Sequence, residues 1–511
     1  MYTHFPNHMN YRTQDAEFCG RVPLNQTNLI QPHGVVVVVD KSTSIIIQAS
    51  ENTEVIFGAD AKAIVNKPFP DFISPQQYQT VQNRSGRTHS ERLPLTLTIN
   101  GRDLLSLLHA KESYLIFEIE LPRAEARPLS FLDMYQELKC IMAEVEDAST
   151  TAEACTKAIG ELKRLAGFDK IMVYQFDEEW HGTVIAEVAE PGMDSYLGLR
   201  FPASDVPKQA RDLYLKNPYR HIPDATYTPV KLYPLLNPAS GAFTDLSDTN
   251  LRSVAAVHIE YLKNMEVCAS MSTRIVQDGR LWGLIACHHR TPKHLAYESY
   301  FVFELISGVI SAKIAAVQKA DSAAHQTELS QTYQRLLQTI YLQKNLSGML
   351  RQNGEDLLDL LKADGAALIV NKQITLLGKT PSPQQVENLL FWLRSNDVSR
   401  LFHQANLSDS YADAEQFTAT ASGLMALPVQ PERGTYVLAF RPEAVKKIDW
   451  SGNPNEAITF DSDKKNYHPR HSFKVWQETV RNTALPWTKE ELDTAEQFRN
   501  FLVEYTLKNV S

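Results

Sequence analysis

Phe201-Pro-Ala-Ser-Asp-Val-Pro207 runs directly into Lys208-Gln-Ala-Arg-Asp-Leu-Tyr214, and this stretch decides how the sequence around it is interpreted. Pro207 suits the first turn of a helix, because proline is tolerated where amide hydrogens lack partners in any case. Ser204 or Asp205 could cap that helix, which is the ordinary structural role of such residues. The alternative interpretation is functional, with the Asp205 carboxylate projecting into a ligand cavity.

Strand and helix patterns on both sides of this stretch belong to one mixed domain. Helical patterns cover Phe131–Ala166 and Pro207–Lys216, and strand patterns cover Lys170–Phe176, Thr183–Glu190, Ala269–Gln277 and Leu281–His288. Strands that are interrupted by helices and loops predict an α+β sheet domain. The loop Asn217–Asn250 is long and rich in proline, and loops of that length are usually functional.

A smaller mixed domain is predicted before it. Val35–Val39 and Ser44–Ile47 are β-branched runs separated by the polar turn Asp40–Thr43, which predicts a hairpin. Further strand patterns follow at Leu95–Ile99, Leu104–His109 and Tyr114–Leu121. In the last of these, Glu118 and Glu120 begin to alternate with apolar neighbours.

A long helix and a third mixed domain are predicted after it. Residues 296–352 contain no proline and little glycine, and their apolar residues recur at near-heptad spacing. This pattern predicts a long helix that links domains or pairs with a copy of itself. The third domain, about 340–487, has regular patterns at Ala366–Ile374, Val386–Leu393 and Tyr436–Phe440. Thr488-Lys-Glu-Glu491 is a capping box that begins a last helix, which we expect to connect to a further module.

Composition limits the class of protein. A chain of 511 residues corresponds to roughly three or four folded units, and 43% hydrophobic with 22% charged residues is a globular balance. The net charge of −9 disfavours non-specific binding to nucleic acid or to an anionic membrane. The longest aliphatic run, Val35–Val39, is too short to cross a bilayer. The first 18 residues lack the basic start and apolar stretch of a secretory signal, so we expect a cytoplasmic protein.

Cysteine usage and motif content argue against the common enzyme and metal classes. The five cysteines are widely spaced and lack a C-x-x-C pair, so neither a disulfide framework nor a structural zinc site fits. The phosphate-loop, dinucleotide-binding, H-E-x-x-H and G-x-S-x-G patterns are missing, so we expect no enzyme activity and no metal. Taken alone, Cys19 is a free thiol, whereas Cys268 and Cys287 are buried small hydrophobic residues.

Three other segments have ordinary structural interpretations when each is taken alone. In Leu251-Arg-Ser-Val-Ala-Ala-Val-His258-Ile-Glu-Tyr261-Leu-Lys-Asn-Met265, His258 is a single histidine on an apolar helix face, which is usually a core residue. Leu281-Trp-Gly-Leu-Ile-Ala-Cys-His288-His289 is a strand that becomes polar as it ends. His468-Pro-Arg470-His-Ser472-Phe473, preceded by Trp450-Ser-Gly-Asn-Pro454, is an ordinary loop.

In this order and spacing, the four segments resemble the photosensory core of a bacteriophytochrome, in which PAS, GAF and PHY domains follow one another. P-A-S-D-V-P is similar to the family's P-A-S-D-I-P, and the His258 segment is similar to its histidine helix. The strand ending at His289 resembles the last strand of the GAF sheet, and P-R-H-S-F resembles the P-R-x-S-F of the PHY tongue. Leu29-Ile-Gln-Pro-His-Gly34 is similar to the family's I-Q-P-H-G.

The resemblance covers nearly the whole chain and implies an α+β fold of three mixed domains joined by long helices, each domain a mainly antiparallel sheet with helices. It places an amino-terminal extension at 1–20, the PAS domain at 21–125, the GAF domain at 126–312, a connecting helix at 313–345, the PHY domain at 346–487 with its tongue at about 443–481, and a connector helix at 488–511. It also implies a figure-of-eight knot, in which Ile30 passes through a GAF loop.

The resemblance further implies that the chain binds a linear tetrapyrrole with two propionate groups. Arg220 and Arg252 would bind the propionates, because guanidinium groups bond carboxylates bidentately. The other implied contacts are hydroxyl donation from Ser270 and Ser272, pyrrole contacts from the Asp205 carbonyl and His258, a ring D contact from His288, and aromatic walls from Tyr174, Phe201, Tyr214 and Tyr261.

The attachment residue selects the tetrapyrrole. Plant and cyanobacterial phytochromes use a cysteine just before the histidine that corresponds to His258, where this chain has Val257. Bacteriophytochromes use a cysteine before the PAS domain, and Cys19 lies there. The resemblance therefore implies biliverdin, joined to Cys19 by a thioether from its ring A vinyl group. Thiolate addition of this kind requires an exposed, non-structural cysteine.

For signalling, the resemblance implies that red light isomerises the chromophore and that the pair Asp205 and Arg470 couples this change to the tongue. Ser472 would replace Arg470 as the partner of Asp205 while the tongue, which includes Trp450, refolds towards a helix. The implied output is a histidine kinase or a diguanylate cyclase in the full-length protein. We expect a homodimer that pairs through the GAF and PHY connector helices, without nucleic acid or membrane partners.

Three other functions remain open. The main one is a GAF-type sensor of another small ligand, such as a cyclic nucleotide, without photochemistry. It accounts for the domain series but not for Cys19 together with P-R-H-S-F. An enzyme has no motif to support it, and a purely structural dimerisation module would account only for the long helices.

Overall fold

A computed structural model describes residues 24–85, 92–121, 131–343, 346–456, 458–460 and 467–509 of the chain. The described residues form two compact units. One unit combines residues 24–315 with residues 449–476, and the other combines residues 316–448 with residues 477–509. Sheets of mainly antiparallel strands, together with helices, occur in both units, which confirms the predicted α+β class.

The first sheet has seven strands, and all neighbouring strands in it are antiparallel. In spatial order the strands are Leu29–Ile30, Val230–Tyr233, Ile46–Ser50, Gly34–Asp40, Tyr114–Glu120, Arg102–Ala110 and Leu93–Ile99. The helices that pack on it are Glu54–Phe57, Ala61–Ile64, the 3₁₀ turn Phe69–Phe72 and Pro75–Ser85. The predicted hairpin is confirmed, and the Asp40 carboxylate closes its turn by accepting the backbone amides of Ser42 and Thr43.

The long loop predicted at Asn217–Asn250 contains two short strands, Tyr219–Ile222 and Val230–Tyr233. The second strand completes the seven-stranded sheet, because it pairs with Leu29–Ile30 on one side and with Ile46–Ser50 on the other. Strands of four residues surrounded by prolines leave little periodicity in a sequence, which is why the loop prediction missed them.

The second sheet has eight strands. In spatial order they are Tyr219–Ile222, Ala269–Gln277, Arg280–His289, Lys170–Phe176, Gly182–Ala189, Arg200–Phe201, Lys446–Ser451 and Val475–Val480. The accompanying helices are Phe131–Glu146, Thr151–Ala166, the 3₁₀ turn Ala203–Asp205, Lys208–Lys216, Ala256–Asn264 and Tyr297–Gln343. One face of the sheet packs on the two earliest helices and on the first turns of Tyr297–Gln343, which together bury the core of this domain.

The helical pattern over Phe131–Ala166 forms two helices, Phe131–Glu146 and Thr151–Ala166. Thr150 has an extended backbone, with φ −126° and ψ 158°, and its side chain accepts the backbone amide of Glu153. A threonine in this conformation is a helix N-cap, so it starts a new helix.

The single long helix predicted over 296–352 is also two helices, Tyr297–Gln343 and Leu346–Leu361. Arg335 Nη2 lies 3.2 Å from Asp356 Oδ1, although 21 residues of one straight helix would hold these residues about 30 Å apart. Leu336 and Leu357 share one hydrophobic core in the same way. The second helix therefore folds back along the first, which buries the apolar faces of both.

The helix that begins at Tyr297 is long and apolar enough to cross a membrane by length and composition, with a mean hydropathy of 1.7 in its most apolar part. Several of its apolar residues are buried within the fold. Phe303, Ile306, Ile310 and Ile314 are buried in the core beside the eight-stranded sheet.

The third sheet has five antiparallel strands, in the spatial order Gln373–Gly378, Gly365–Val370, Thr435–Arg441, Gly423–Gln430 and Phe402–Gln404. Its helices are Leu346–Leu361, Pro383–Ser395, Thr418–Ala421 and Lys489–Asn509, with 3₁₀ turns at Leu407–Asp409, Ala412–Phe417 and Pro431–Arg433. The capping box is confirmed: the Thr488 amide donates to Glu491 Oε2 at 2.8 Å, and the Glu491 amide donates to Thr488 Oγ1 at 3.3 Å.

The described part of the predicted tongue consists of β-strands joined by turns and loops. Its strands are Lys446–Ser451, Ile458–Phe460, Tyr467–Pro469 and Val475–Val480, with a 3₁₀ turn at Pro454–Glu456. Ile458–Phe460 and Tyr467–Pro469 form an antiparallel pair. Trp450 pairs in parallel with Arg200.

Candidate ligand-binding site

A cavity of about 230 Å³ lies on the face of the eight-stranded sheet opposite the packed helices. Eleven of the twelve predicted binding residues line it: Tyr174, Phe201, Asp205, Tyr214, Arg220, Arg252, His258, Tyr261, Ser270, Ser272 and His288. The twelfth, Cys19, lies outside the described residues. Residues that are far apart in the chain thus meet around one space.

The sheet supplies the floor of this cavity through strand register. Ser270 is opposite His288, and Ser272 is opposite Ala286, in the antiparallel pair of strands Ala269–Gln277 and Arg280–His289. Every second residue of a strand points to the same face, so these four side chains lie on one side of the sheet. Met172 and Tyr174 extend the floor on the next strand.

Two buried arginines line one side of the cavity. Arg220 Nη1 donates to the backbone oxygen of Asn250 at 2.6 Å, its Nη2 donates to the oxygen of Arg252, and Arg252 Nη1 donates to the oxygen of Leu24 at 2.8 Å. Neither guanidinium has a carboxylate within 4 Å among the described residues, and the Nε of each lacks a hydrogen-bond partner there. Burial, together with the charge of Arg220, lowers the pKa of Arg252 to about 9. This side of the cavity therefore suits an anionic ligand.

Asp205 does not cap the helix that follows it. The helix begins at Lys208, with Pro207 as N-cap and no side-chain cap hydrogen bond, so the capping interpretation is wrong. The Asp205 carboxylate instead accepts the Tyr261 hydroxyl at 2.8 Å and Arg470 Nη2 at 2.5 Å. Burial raises the pKa of Asp205.

Arg470 brings the tongue to this carboxylate. Its side chain is 4% exposed and that of Asp205 is 6% exposed, so the ion pair is buried. The guanidinium lies over the rings of Phe201 and Phe473 at 5.5 and 4.9 Å, and the Arg470 backbone oxygen accepts Asn264 Nδ2 at 3.1 Å. These contacts join the tongue to the wall of the cavity.

The other two predicted signalling residues lie near this contact. Ser472 is exposed, and its hydroxyl oxygen accepts the backbone amide of Lys474 at 3.4 Å. Trp450 is buried, with the ring of His181 at 5.2 Å and the guanidinium of Arg200 at 5.0 Å. In this conformation Arg470, and not Ser472, is therefore the partner of Asp205.

Two neutral histidines face the cavity. Burial, and then the charge of Arg220, lowers the pKa of His258 to about 4. Burial, and then the charges of Lys170 and His258, lowers the pKa of His288 to about 3. A neutral imidazole offers one donor and one acceptor. His288 Nδ1 has no partner among the described residues and is available to a polar group of a ligand.

Aromatic side chains form the remaining wall. The Tyr174 ring lies 5.7 Å from Phe201, and the His258 and Tyr261 rings are stacked at 6.0 Å. Gly182 makes room for Tyr174, because a Cβ atom there would lie 1.7 Å from the Tyr174 ring. The Tyr174 hydroxyl is buried without a partner among the described residues, which again leaves a polar group for a ligand.

Sequence reasoning missed several lining residues, of which Leu24 is the most informative. Its backbone oxygen binds Arg252, and its position five residues after Cys19 is the one signal that could have identified it. Ile30 pairs with Val230 and bridges to Arg252, so the chain after Leu24 lies between these two segments. The figure-of-eight knot itself stays a prediction.

We expect the unfolding free energy of the ligand-free protein to fall as the pH is lowered from about 7 to about 5. The pKa values of His221, His258 and His288 are about 3, 4 and 3 in the folded chain, whereas an unfolded histidine titrates near 6.5. The unfolded state therefore binds protons that the folded state does not. Each histidine removes about 1.4 kcal/mol per pH unit below about pH 6.5.

Urea denaturation at several pH values measures this slope. His221 lies outside the cavity lining and bonds Tyr300 and Lys293, so His221→Gln isolates one of the three contributions. That variant should reduce the slope by about 1.4 kcal/mol per pH unit, the contribution of one histidine. Equal stability of the parent protein at both ends of the range would contradict the prediction.

Comparison with protein-family models finds three matches in series. A PAS fold matches residues 19–122, a GAF domain matches residues 150–314, and the phytochrome region matches residues 329–511. The matches follow one another in the order that the resemblance implied.

Phytochromes are similar to this chain over nearly all of its length. The chain is 34% identical over 500 residues to cyanobacterial phytochrome B of Nostoc sp. and 32% identical over 497 residues to a bacteriophytochrome of Xanthomonas campestris pv. campestris. These matches cover 97% and 95% of the chain, but 66% and 78% of the relatives, so the chain spans about two thirds of the first relative's length.

Two solved structures have the same fold as this chain. A bacteriophytochrome from R. palustris superposes with a TM-score of 0.84 at 33% identity, covering 96% of this chain and 99% of that chain. The Stigmatella aurantiaca phytochrome photosensory core module superposes with a TM-score of 0.81 at 33% identity, covering 99% of both chains.

Proposed function

The chain belongs to the phytochrome family, and from that premise we propose that it is the photosensory part of a red/far-red photoreceptor that binds biliverdin covalently through Cys19. Phytochromes are light sensors that hold a linear tetrapyrrole. The choice of biliverdin, its attachment and the signalling route are the parts that we propose for this chain.

The observation that carries the proposal is the pair of buried arginines without a carboxylate partner among the described residues. Arg220 and Arg252 both line the cavity, and both keep an unpaired Nε. Buried charges are normally paired, because an unpaired one is costly. Biliverdin carries two propionates, which supply two carboxylates of the required charge and geometry.

The cavity lining also offers neutral polar groups. The unpaired His288 Nδ1 and the Tyr174 hydroxyl suit the carbonyl and nitrogen atoms of a tetrapyrrole. The apolar and aromatic side chains of the lining suit its flat ring system. The residues present therefore fit biliverdin along the whole cavity.

Biliverdin, when bound, supplies the conjugated system that absorbs red light and isomerises. The chain's own residues hold the state before illumination. Arg470 neutralises Asp205, and Tyr261 donates to the same carboxylate. A rearrangement at the cavity wall that displaces Tyr261 would weaken the Asp205–Arg470 pair, and Ser472 would then become available as its replacement.

We further propose that the chain works as a homodimer in the cytoplasm and controls an output domain, either a histidine kinase or a diguanylate cyclase. Exposed apolar residues on two helices support the dimer, among them Leu132 and Tyr135 on one helix and Phe301 on the other. The four described cysteines are free, which is typical of a reducing compartment. We propose no nucleic acid or membrane partner, no metal and no catalytic activity for the chain itself.

Biliverdin added to the purified ligand-free protein tests the proposal. We expect a red-absorbing complex whose spectrum changes under red light and returns under far-red light. Arg252→Ala should weaken binding about tenfold or more, because it removes a charge-assisted hydrogen bond. The control is Arg290→Ala, an exposed arginine outside the cavity lining. Binding without any spectral response to light would instead support a GAF-type small-ligand sensor.

A further inference from the structure

Glu118 is a fully buried carboxylate on strand Tyr114–Glu120 of the seven-stranded sheet, outside the domain that forms the cavity floor. His109 Nε2, on the neighbouring strand, lies 3.0 Å from Glu118 Oε2. A carboxylate in a protein interior is costly unless several hydrogen bonds compensate for its lost hydration. The remaining partners of Glu118 therefore indicate what this charge does.

Two backbone amides complete the hydrogen bonding of Glu118. The Leu251 amide donates to Glu118 Oε1 at 2.7 Å, and the Asn250 amide donates to Oε2 at 3.2 Å. Hydrogen bonds to an ionised acceptor are among the stronger ones in proteins. The carboxylate thus fixes the two residues that come directly before Arg252.

The same peptide group links Glu118 to Arg220. The Leu251 amide and the Asn250 carbonyl belong to one peptide unit, and they point in opposite directions because that unit is planar and trans. Arg220 Nη1 donates to the Asn250 oxygen at 2.6 Å while Glu118 accepts the Leu251 amide. One peptide group therefore lies between a carboxylate and a guanidinium, and both charges polarise it in the same sense.

This arrangement holds Arg220 without occupying all of its donors. Arg220 Nη2 is bound to the backbone oxygen of Arg252, and the Nε has no partner among the described residues. A carboxylate in direct contact would neutralise the guanidinium and compete with a ligand. A carboxylate that acts through a peptide group orients the arginine and leaves it able to bind an anion.

We propose that Glu118 is a positioning residue for the cavity: its carboxylate holds the Asn250–Leu251 peptide group, and through it the guanidinium of Arg220, in the orientation that receives a carboxylate of the ligand. This proposal rests on the proposed function, since it takes biliverdin as the ligand. It assigns the domain of the seven-stranded sheet a part in ligand recognition, through Arg220.

Equilibrium binding of biliverdin and of biliverdin dimethyl ester to Cys19→Ser protein tests the proposal, because the ester lacks the two carboxylates. Glu118→Gln keeps the shape of the side chain and removes its charge. We expect this variant to bind biliverdin about tenfold or more weakly, which corresponds to one lost charge-assisted hydrogen bond. Its affinity for the ester should change by less than about threefold.

The matched control is Val37→Ala, which is fully buried in the same sheet opposite Phe117 and packs only in its hydrophobic core. It should lower stability without changing the ratio of acid to ester affinity. Equal weakening of acid and ester by Glu118→Gln, or no weakening of either, would overturn the positioning role. Failure of the Cys19→Ser parent to bind biliverdin would instead overturn the proposed function.

A second variant keeps the test available if Glu118→Gln does not fold. Glu118→Asp retains the charge but withdraws the carboxylate by one methylene from the Leu251 amide. It should weaken binding of the acid more than binding of the ester, as Glu118→Gln does. An unchanged ratio of the two affinities would count against the proposal.

Discussion

Cys19→Ser abolishes the covalent biliverdin adduct while the cavity still binds the pigment reversibly: this is the largest effect that we expect from a single substitution. Leu24 lines the cavity and lies five residues after Cys19. An extended chain covers at most about 3.6 Å per residue, so the thiol-bearing residue is within about 18 Å of Leu24. This limit allows the thiol of Cys19 to reach a pigment that fills the cavity.

The four described cysteines are poorly suited to replace Cys19 as the attachment residue, because none of them lines the cavity. Burial raises the pKa of Cys155 to about 12 and also raises that of Cys287 well above its usual value. Burial and the nearby Asp224 carboxylate also raise the pKa of Cys268. The thiolate is the reactive form, so each of these shifts slows addition to a vinyl group.

Mass spectrometry after denaturation measures the adduct. Wild-type protein should carry one biliverdin on the peptide that contains Cys19, and Cys19→Ser should carry none. Cys140→Ser, which replaces an exposed thiol on the helix Phe131–Glu146, is the control and should retain the adduct. An adduct that persists on a different cysteine in Cys19→Ser would contradict the proposed attachment.

Arg470→Ala releases the tongue from the cavity wall, which is the second large effect that we expect. The substitution leaves the Asp205 carboxylate buried without its cation, and breaking a buried pair in this way typically costs about 3–5 kcal/mol. Amide hydrogens of residues 467–476 should then exchange about 100-fold faster or more in the unilluminated protein. Hydrogen exchange followed by mass spectrometry measures this change.

A second tongue contact provides the matched control. His468 Nδ1 lies 2.9 Å from Glu260 Oε2, but these side chains are 40% and 33% exposed. Exposed ion pairs contribute at most about 1 kcal/mol, so His468→Gln should speed exchange by less than about tenfold. The double variant Asp205→Asn/Arg470→Met leaves no unpaired charge and should recover part of the protection. Equal exchange in Arg470→Ala and His468→Gln would show that the buried pair does not hold the tongue.

Much of the fold could be predicted because its strands have local signals. Runs of β-branched and alternating residues predict the hairpin around Asp40 and the strand Lys170–Phe176, and the structure has both. Errors occurred where a few side chains decide an element boundary. Thr150 divides a helical pattern by capping a new helix, and Asn371 and Lys372, with φ of 50° and 65°, turn the pattern over Ala366–Ile374 into a hairpin.

Local sequence patterns could not predict which residues come together around the cavity. The sequence left Asp205 with two roles, and its partners Tyr261 and Arg470 lie 56 and 265 residues later. Only the resemblance to a known family predicts that these residues act together. Glu118 was missed for the same reason: alternation suggests a half-exposed strand, but the segment around Asn250 covers that face 132 residues further along.

The strand Val230–Tyr233 limits how this chain can be shortened or recombined. It comes from the part of the chain that builds the cavity, yet it is hydrogen-bonded inside the seven-stranded sheet, between Leu29–Ile30 and Ile46–Ser50. A fragment cut at residue 131 would expose two unsatisfied strand edges, which invite aggregation. Engineered reporters and chimeras built from this chain should therefore exchange the first two domains as one cassette.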